Sequence, residues 1–325
     1  MPNPEHIFAD ERPFAECHAS TLVQLADGRF LAAWFGGTRE STDDVGIWGA
    51  TRDGQGWSPP RLLAKTRGQA HWNPVLHRDD EGAVHLYFKV GRTIPRWETW
   101  VTRSTDDGQT WDAPRELVPD DRGGRGPVKN KLLVLHDGTW LAGASLENDA
   151  GWDVFVDRSE DNGQTWTATP LIERDPQVFS GRGAIQPTLW QSAPATVHML
   201  VRTTCGRVGR SDSTDNGLTW SPLYLTDLPH NNSGLDLARL QDGTLALVCN
   251  PVEKGRTPVS LLLSDDDGET WARRLDLETA KGEYSYPAII PAEDGVALTY
   301  TWKRERVAFW RLAADDVPPT DKATA

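Results

Sequence analysis

The chain has 325 residues, 38% of them hydrophobic and 25% charged, with a formal net charge of −13. No apolar run approaches the roughly 20 residues that a membrane-spanning helix needs, and the acidic balance argues against nucleic acid or an anionic membrane as a partner. An acidic small ligand stays open, because a local arginine cluster can set the field inside a pocket.

The N-terminal stretch "MPNPEHIFADERPF" has no basic segment followed by an apolar core, so the expectation is a cytoplasmic protein without a secretory leader. The first clear element follows at once. In "ECHASTLVQLADGR" the alternation from Ser20 to Leu25 predicts a strand, Asp27-Gly28 a tight turn, and Phe30 to Phe35 the return strand. His18 stands at the mouth of that first strand.

From there the chain repeats. "STDDGQTW", "SEDNGQTW", "STDNGLTW" and "SDDDGETW" begin at residues 104, 159, 213 and 264, and a decayed copy, "ATRDGQGW", begins at 50. Their closing tryptophans, at 57, 111, 166, 220 and 271, are separated by 54, 55, 54 and 51 residues. Acidic-Gly turns at Gly28, Gly82, Gly138 and Gly243 precede a box tryptophan by 28 or 29 residues. The aspartate is suited to bond backbone N–H groups two residues on, the glycine to supply positive φ, and the tryptophan to anchor the turn on a sheet. One period therefore holds about four short strands, and the length accommodates six periods. The prediction is an all-β, six-bladed β-propeller of four-stranded antiparallel blades. Asp106, Asp161, Asp215 and Asp266 are then turn formers.

The last blade offers three strands, in "YSYPAII", "GVALTYTW" and "RVAFWRLA", and "HIFADER" is expected to supply the missing outer one. That gives a single domain over 1–315, with its edges removed by closure, and a polar tail over 316–325. Cys17, Cys205 and Cys249 form no CxxC pair and are read as reduced, partly buried thiols. No cluster has metal-ligand spacing, and no cofactor is expected.

Polar clusters open the other blades where His18 opens the first: His71, Trp72 and Asn73 in "QAHWNPVL", Lys129, Asn130 and Lys131 in "GPVKNKLLVL", and Asn232, Ser233 and Asp236 in "HNNSGLDLARL". Polar groups delivered from several blades to one point are hard to explain by stability alone, since burying them costs free energy unless they are paired. His77, His85, His136 and His198, which fall in strands or hairpins outside these polar clusters, are read as structural. Trp34, Trp72, Trp97 and Trp302 are candidates either for core packing or for stacking on a sugar ring. "VGRTIPRWETW", with Arg92, Arg96 and Trp97, and "DDRGGRGP" at 120–127 are candidate rim loops.

The boxes, their spacing and the blade count resemble the sialidase-like superfamily over nearly the whole chain. The resemblance implies substrate-binding arginines at Arg202 and Arg256, a nucleophilic tyrosine in the pair Tyr284-Ser285, and an acid/base aspartate at Asp43 or Asp44. Tyr284 and Tyr286 alternate, and Tyr284 is the one expected to face the channel. Two positions depart from the family pattern. His-Ala-Ser, beginning at His18, stands where the family has an Arg-Ile-Pro motif, and Gln186, in "AIQPTLW", stands where the family's glutamate activates the tyrosine. A sialidase would then need Glu283 or another carboxylate to take over that role.

"CHASTLVQLADGRFLAAWFGGTRE", together with "HWNP", "KNK", "NNSGLD" and "GEYSYPA", looks like the broad sialidase-like group, some of whose relatives are lyases that release rhamnose from glucuronate. The residues suit that chemistry. Two arginines would neutralise a uronate carboxylate, and histidine and tyrosine would move the protons of a β-elimination. Three readings follow: a lyase acting on an acidic oligosaccharide, a retaining exo-α-sialidase using a tyrosine nucleophile, and a non-catalytic glycan-binding propeller.

Overall fold

The computed structural model describes residues 4–293 and 295–318. Its strands are short and mostly antiparallel hairpins, because four of the six repeats place a positive-φ glycine between two apolar runs. Gly28, Gly82, Gly138 and Gly243 have φ of 84°, 89°, 88° and 94°. Six sheets form the blades of a β-propeller. Their innermost strands are Glu16–Gln24, His71–Arg78, Leu133–Val134, Ala184–Ala193, Asp236–Arg239 and Tyr284–Ala292. Blade 1 has a fifth, short strand, Arg61–Ala64, paired with its third strand.

Glu5–His6 pairs with the third strand of blade 6, so that the N-terminus supplies that blade's outer strand. Ile7 and Phe8 follow it into a core shared by blades 6 and 1, with Phe14, Trp34 and Phe309. At the other end the expected tail starts later than 316. Val317 is 1% exposed against blades 5 and 6, and Val317 and Pro318 carbonyls accept from Arg273 and Arg274. The rest of the tail, from 319, lies outside the described residues.

The box aspartates are turn-formers, but they reach further than two residues. Asp161 Oδ1 accepts from the Thr165 N–H at 2.9 Å, four residues on, and Oδ2 accepts the Thr165 hydroxyl at 2.6 Å. Ser159 Oγ donates back to it at 2.8 Å. The box tryptophan turns into the space between blades, as Trp166 does against Tyr87 and Trp140. The bonds from the Thr165 hydroxyl and N–H hold the Asp161 carboxyl down at about 2, against an ordinary 3.8. This stabilisation is complete above the ordinary range and is lost as the pH falls through about 2. Asp161→Asn is therefore expected to lower the melting temperature by a few degrees at pH 7, with the gap closing on acidification. A gap independent of pH would sink that account.

One backbone feature positions the site. The inner strands of blades 1, 2, 4 and 6 slip register against their partners between His18 and Thr21, Trp72 and Val75, Ile185 and Thr188, and Ser285 and Ala288. At each slip one residue has positive φ: Ala19, Asn73, Gln186 and Tyr286, at 55°, 39°, 59° and 54°. Such bulges re-aim side chains and reverse the inside-outside parity of the strand beyond them.

Candidate active site

The inner strands begin on the face opposite the Asp boxes, and the cluster they build there centres on Tyr286. The His18 ring lies 4.2 Å from the Tyr286 ring. Arg202, Arg256 and Lys129 carry their charges 5.8, 5.9 and 6.0 Å from the same ring centroid. The Tyr286 oxygen accepts from Arg202 Nη1 at 2.8 Å and from Gln186 Nε2 at 3.4 Å.

Arg202 and Arg256 differ in what holds them. Arg256 Nη1 donates to Glu283 Oε1 at 2.6 Å and to Ser285 Oγ at 2.9 Å. Arg202 donates to Asn232 Oδ1 at 2.7 Å, to Gln186 Oε1 at 3.3 Å and to Tyr286, and its guanidinium lies 5.4 Å from the Trp152 ring. All of these acceptors are neutral. Arg202 is 9% exposed, and no carboxylate among the described residues reaches it within ion-pair distance.

A third arginine, not singled out from sequence, completes the group. Arg304, at the tip of the last hairpin, donates from Nε to Glu283 Oε1 at 3.0 Å and from Nη1 to Glu40 Oε2 at 2.5 Å. Its only sequence signal is the basic run "KRER" at a hairpin tip. Burial, and then the charges of Arg304, Arg256, Arg202 and Lys129, hold the His18 imidazole well below its ordinary 6.5. His18 Nδ1 is buried without a hydrogen-bond partner.

Several expected site residues are instead tied into the scaffold. Tyr284 is 1% exposed and packs among Leu277, Tyr300 and Trp302, since the bulge at Tyr286 turns that tyrosine, not Tyr284, toward the channel. Trp302 rests between Tyr284 and the N-terminal His6, 6.3 and 5.1 Å away. His71 is fully buried with both nitrogens engaged, by the Gln69 carbonyl and the Thr66 N–H, each at 2.9 Å. Burial pulls its pKa down to about 4. Asp44 accepts from the Thr38 N–H at 2.7 Å and the Thr42 hydroxyl at 2.5 Å, and so shapes its own loop. Asp43 lies at the rim, paired with Arg92 at 3.0 Å.

The polar residues that open blades 2, 3 and 5 join blades across the channel. Asn73 Nδ2 donates to the Val128 carbonyl at 3.0 Å. Lys129 Nζ donates to Asn130 Oδ1 at 2.9 Å, to the Leu235 carbonyl at 3.2 Å and to the Pro287 carbonyl. Asp236 accepts from Lys131 at 2.9 Å, from Thr188 Oγ1 at 2.8 Å and from the Ile289 N–H at 3.0 Å. Buried polar groups satisfied in this way fix the relative position of blades, and they leave Lys129 and Asp236 little capacity for a ligand.

Beside the cluster, a cavity of about 290 Å³ is lined by Ser41, Trp72, Arg92, Glu147, Trp152 and Arg182, with residues 93–95 and 148–149. A larger depression of about 450 Å³ lies on the box face around Asp79, His85 and Arg115. His85 and His198 do have polar company: Asp79 at 2.8 Å, and Asp212 at 2.5 Å with Ser192 at 2.7 Å. The Ser192–His198–Asp212 row is not an isolated triad, because Asp267 Oδ2 also faces His198 Nε2 at 3.2 Å. Each histidine lies against the next blade's tryptophan or its own, Trp140 and Trp190. Among the described residues, no three His, Cys, Asp or Glu are grouped to hold a metal ion.

Since Tyr284 only packs, Tyr284→Phe is expected to leave the behaviour of the site unchanged, in the same binding and activity assays in which Tyr286→Phe impairs it. The reverse ranking would restore Tyr284 to the site.

Residues 28–298 match the family model described as a BNR repeat-like domain. Similar solved structures include the Hadza microbial sialidase Hz136, at 17% identity and TM-score 0.81, over 97% of this chain and 69% of that one. The K499G mutant of NanB sialidase from Streptococcus pneumoniae matches at 15% and 0.80, over 98% and 72%. The intramolecular trans-sialidase from Ruminococcus gnavus, in complex with oseltamivir carboxylate, matches at 15% and 0.76, over 97% and 98%. At such identities the likeness is one of fold.

Proposed function

The chain belongs to the BNR repeat-like domain family, and from that premise we propose that it is a glycan-active enzyme that grips the carboxylate of an acidic sugar and cleaves the adjoining glycosidic bond by β-elimination. Arg202 carries this reading. A guanidinium this deeply placed, held only by neutral oxygens, is an incomplete ion pair, and a substrate carboxylate completes it with charge-assisted bonds. The similar solved propellers include sialidases, but it is this chain's own Arg202 that calls for an acidic sugar.

Neutralising a uronate carboxylate acidifies the proton on the adjacent ring carbon. His18, neutral and with neither ring nitrogen hydrogen-bonded among the described residues, is the base that removes it, through Nε2, since Nδ1 is buried. The C–H electron pair becomes the ring double bond, the bond to the glycosidic oxygen breaks, and that oxygen takes up a proton. Tyr286 positions both partners, through its bond to Arg202 and its contact with the imidazole. Hydrolysis through a tyrosine nucleophile is less well supported, because the group beside the phenol is the Gln186 amide, which cannot take its proton.

The test is to incubate the protein with a panel of glycosyl-uronates and sialosides, following ultraviolet absorbance and product mass. An absorbing, unsaturated uronate is expected. Free sialic acid without that absorbance would replace elimination by hydrolysis, and silence on substrates that nevertheless bind would make the propeller a lectin.

A further inference from the structure

We propose that Glu147 is the acid that protonates the leaving oxygen, and that the cavity it lines receives the departing sugar. This rests on the acidic-sugar reading above and names the proton donor which that reading leaves open.

Elimination requires a group that still carries a proton at working pH, and the carboxyls that face the arginines are already held in ion pairs. Glu283 serves Arg256 and Arg304, Glu40 serves Arg304, and Asp43 serves Arg92. Asp44 is closed into its own turn. Glu147 has no ion pair within 4.0 Å among the described residues, and its one side-chain hydrogen bond there is a long one, 3.5 Å from Ser145 Oγ. It lies one residue before the end of the second strand of blade 3, in register with Trp152 on the third. Trp152 in turn lies against Arg202 and Arg182, at 5.4 and 5.8 Å. The carboxyl is thus one residue removed from the carboxylate clamp and faces open space of monosaccharide size.

Its surroundings favour a retained proton. Burial pushes Glu147 up to about 7, opposed by the charges of Arg202, Lys89 and Arg182 and by the Ser145 bond. Arg92 and Asp149 also line the cavity, with opposite charges. A carboxylic acid poised near the working pH is the form a proton donor needs. The balance closes without a co-reactant. The Glu147 proton passes to the glycosidic oxygen as the C–O bond breaks, His18 holds the proton taken from carbon, and both groups re-equilibrate with solvent after release. The tryptophans Trp72 and Trp152 give the departing ring apolar faces to rest on.

The experiment compares the wild type with Glu147→Gln in the full chain, using a uronate with a sugar leaving group and one with a nitrophenyl leaving group. The expected result is a kcat loss of about 10²-fold or more for the sugar leaving group. Little loss is expected for nitrophenol, which departs without protonation. The alkaline limb of the wild-type pH profile, near 7, should disappear in the variant. Equal losses on both substrates, or an unchanged pH profile, would overturn the assignment. Calorimetry with glucuronate separates the two levels: binding by both proteins leaves the kinetics to judge Glu147. No binding by the wild type overturns the carboxylate reading and this proposal with it.

Discussion

Replacing Arg202 with alanine is expected to weaken binding of an acidic sugar by about 10²-fold or more, since truncating one partner of a buried, hydrogen-bonded charge pair costs roughly 2–5 kcal/mol. The size follows from how the residue is held. Asn232, Gln186 and Tyr286 fix the guanidinium in place before any ligand arrives, so the carboxylate meets an ordered donor and not a mobile surface charge. Arg256 and Arg304 already share Glu283, and their attraction for a further anion is correspondingly diluted. Arg202→Lys should recover only part of the loss, since an ammonium on a flexible stem cannot reproduce a planar fork. The measurement is calorimetric titration of glucuronate against its neutral methyl ester, on wild type and both variants. The ester should lose little. A loss as large for the ester as for the acid would mean that Arg202 shapes the pocket and does not recognise charge.

The fold could be read from the sequence because its devices are local. The box turn closes within a few residues, from Ser159 to Thr165 in one copy, and the hairpin glycines need positive φ wherever the pattern occurs. The site was only half visible, for reasons that differ by residue. Arg202 and His18 stand near the channel ends of strands and Arg256 in the loop before a third strand, and strand order places them there. Tyr286 was hidden by the register slip, which reverses the parity that alternation assumes. A signal was available: Asn73-Pro74, Gln186-Pro187 and Tyr286-Pro287 recur at the same place in three blades, and a repeated residue before proline marks a special backbone position. Arg304 lies in the turn after a second strand and Glu147 near the end of one, where no period constrains identity. Their roles follow from partners that come together only in the ring. Lys129 and Asp236 show the opposite limit. Their polarity in an apolar context was legible, but whether a buried charge meets a ligand or a neighbouring blade is decided by distances alone.

His18→Ala is expected to lower kcat by about 10²–10⁴-fold, the range general acid–base groups supply, with little change in the affinity for an acidic sugar. The affinity should hold because Arg202 does not depend on His18 for its position. The rate should fall because His18 is the group in the cluster that combines a free nitrogen with a neutral ring at physiological pH. Four cations and burial depress its pKa, so the base-competent form persists below pH 6.5, and the acid limb of the wild-type profile should lie on the acid side of that value. The sign for stability runs the other way. Between its folded and ordinary values the unfolded imidazole binds a proton that the folded one refuses, so His18 costs the native state stability as the pH drops below 6.5. Removing it should therefore narrow the difference in melting temperature between pH 7 and pH 5, even while the lost contacts with Tyr286 and Phe35 lower both values. His18→Gln, closer in volume and unable to take up a proton, should show the same loss of turnover with better retained packing. Full activity in His18→Gln would assign the ring to packing against Tyr286 and require another base for the elimination. Lost activity together with lost glucuronate binding would place His18 in the carboxylate clamp instead.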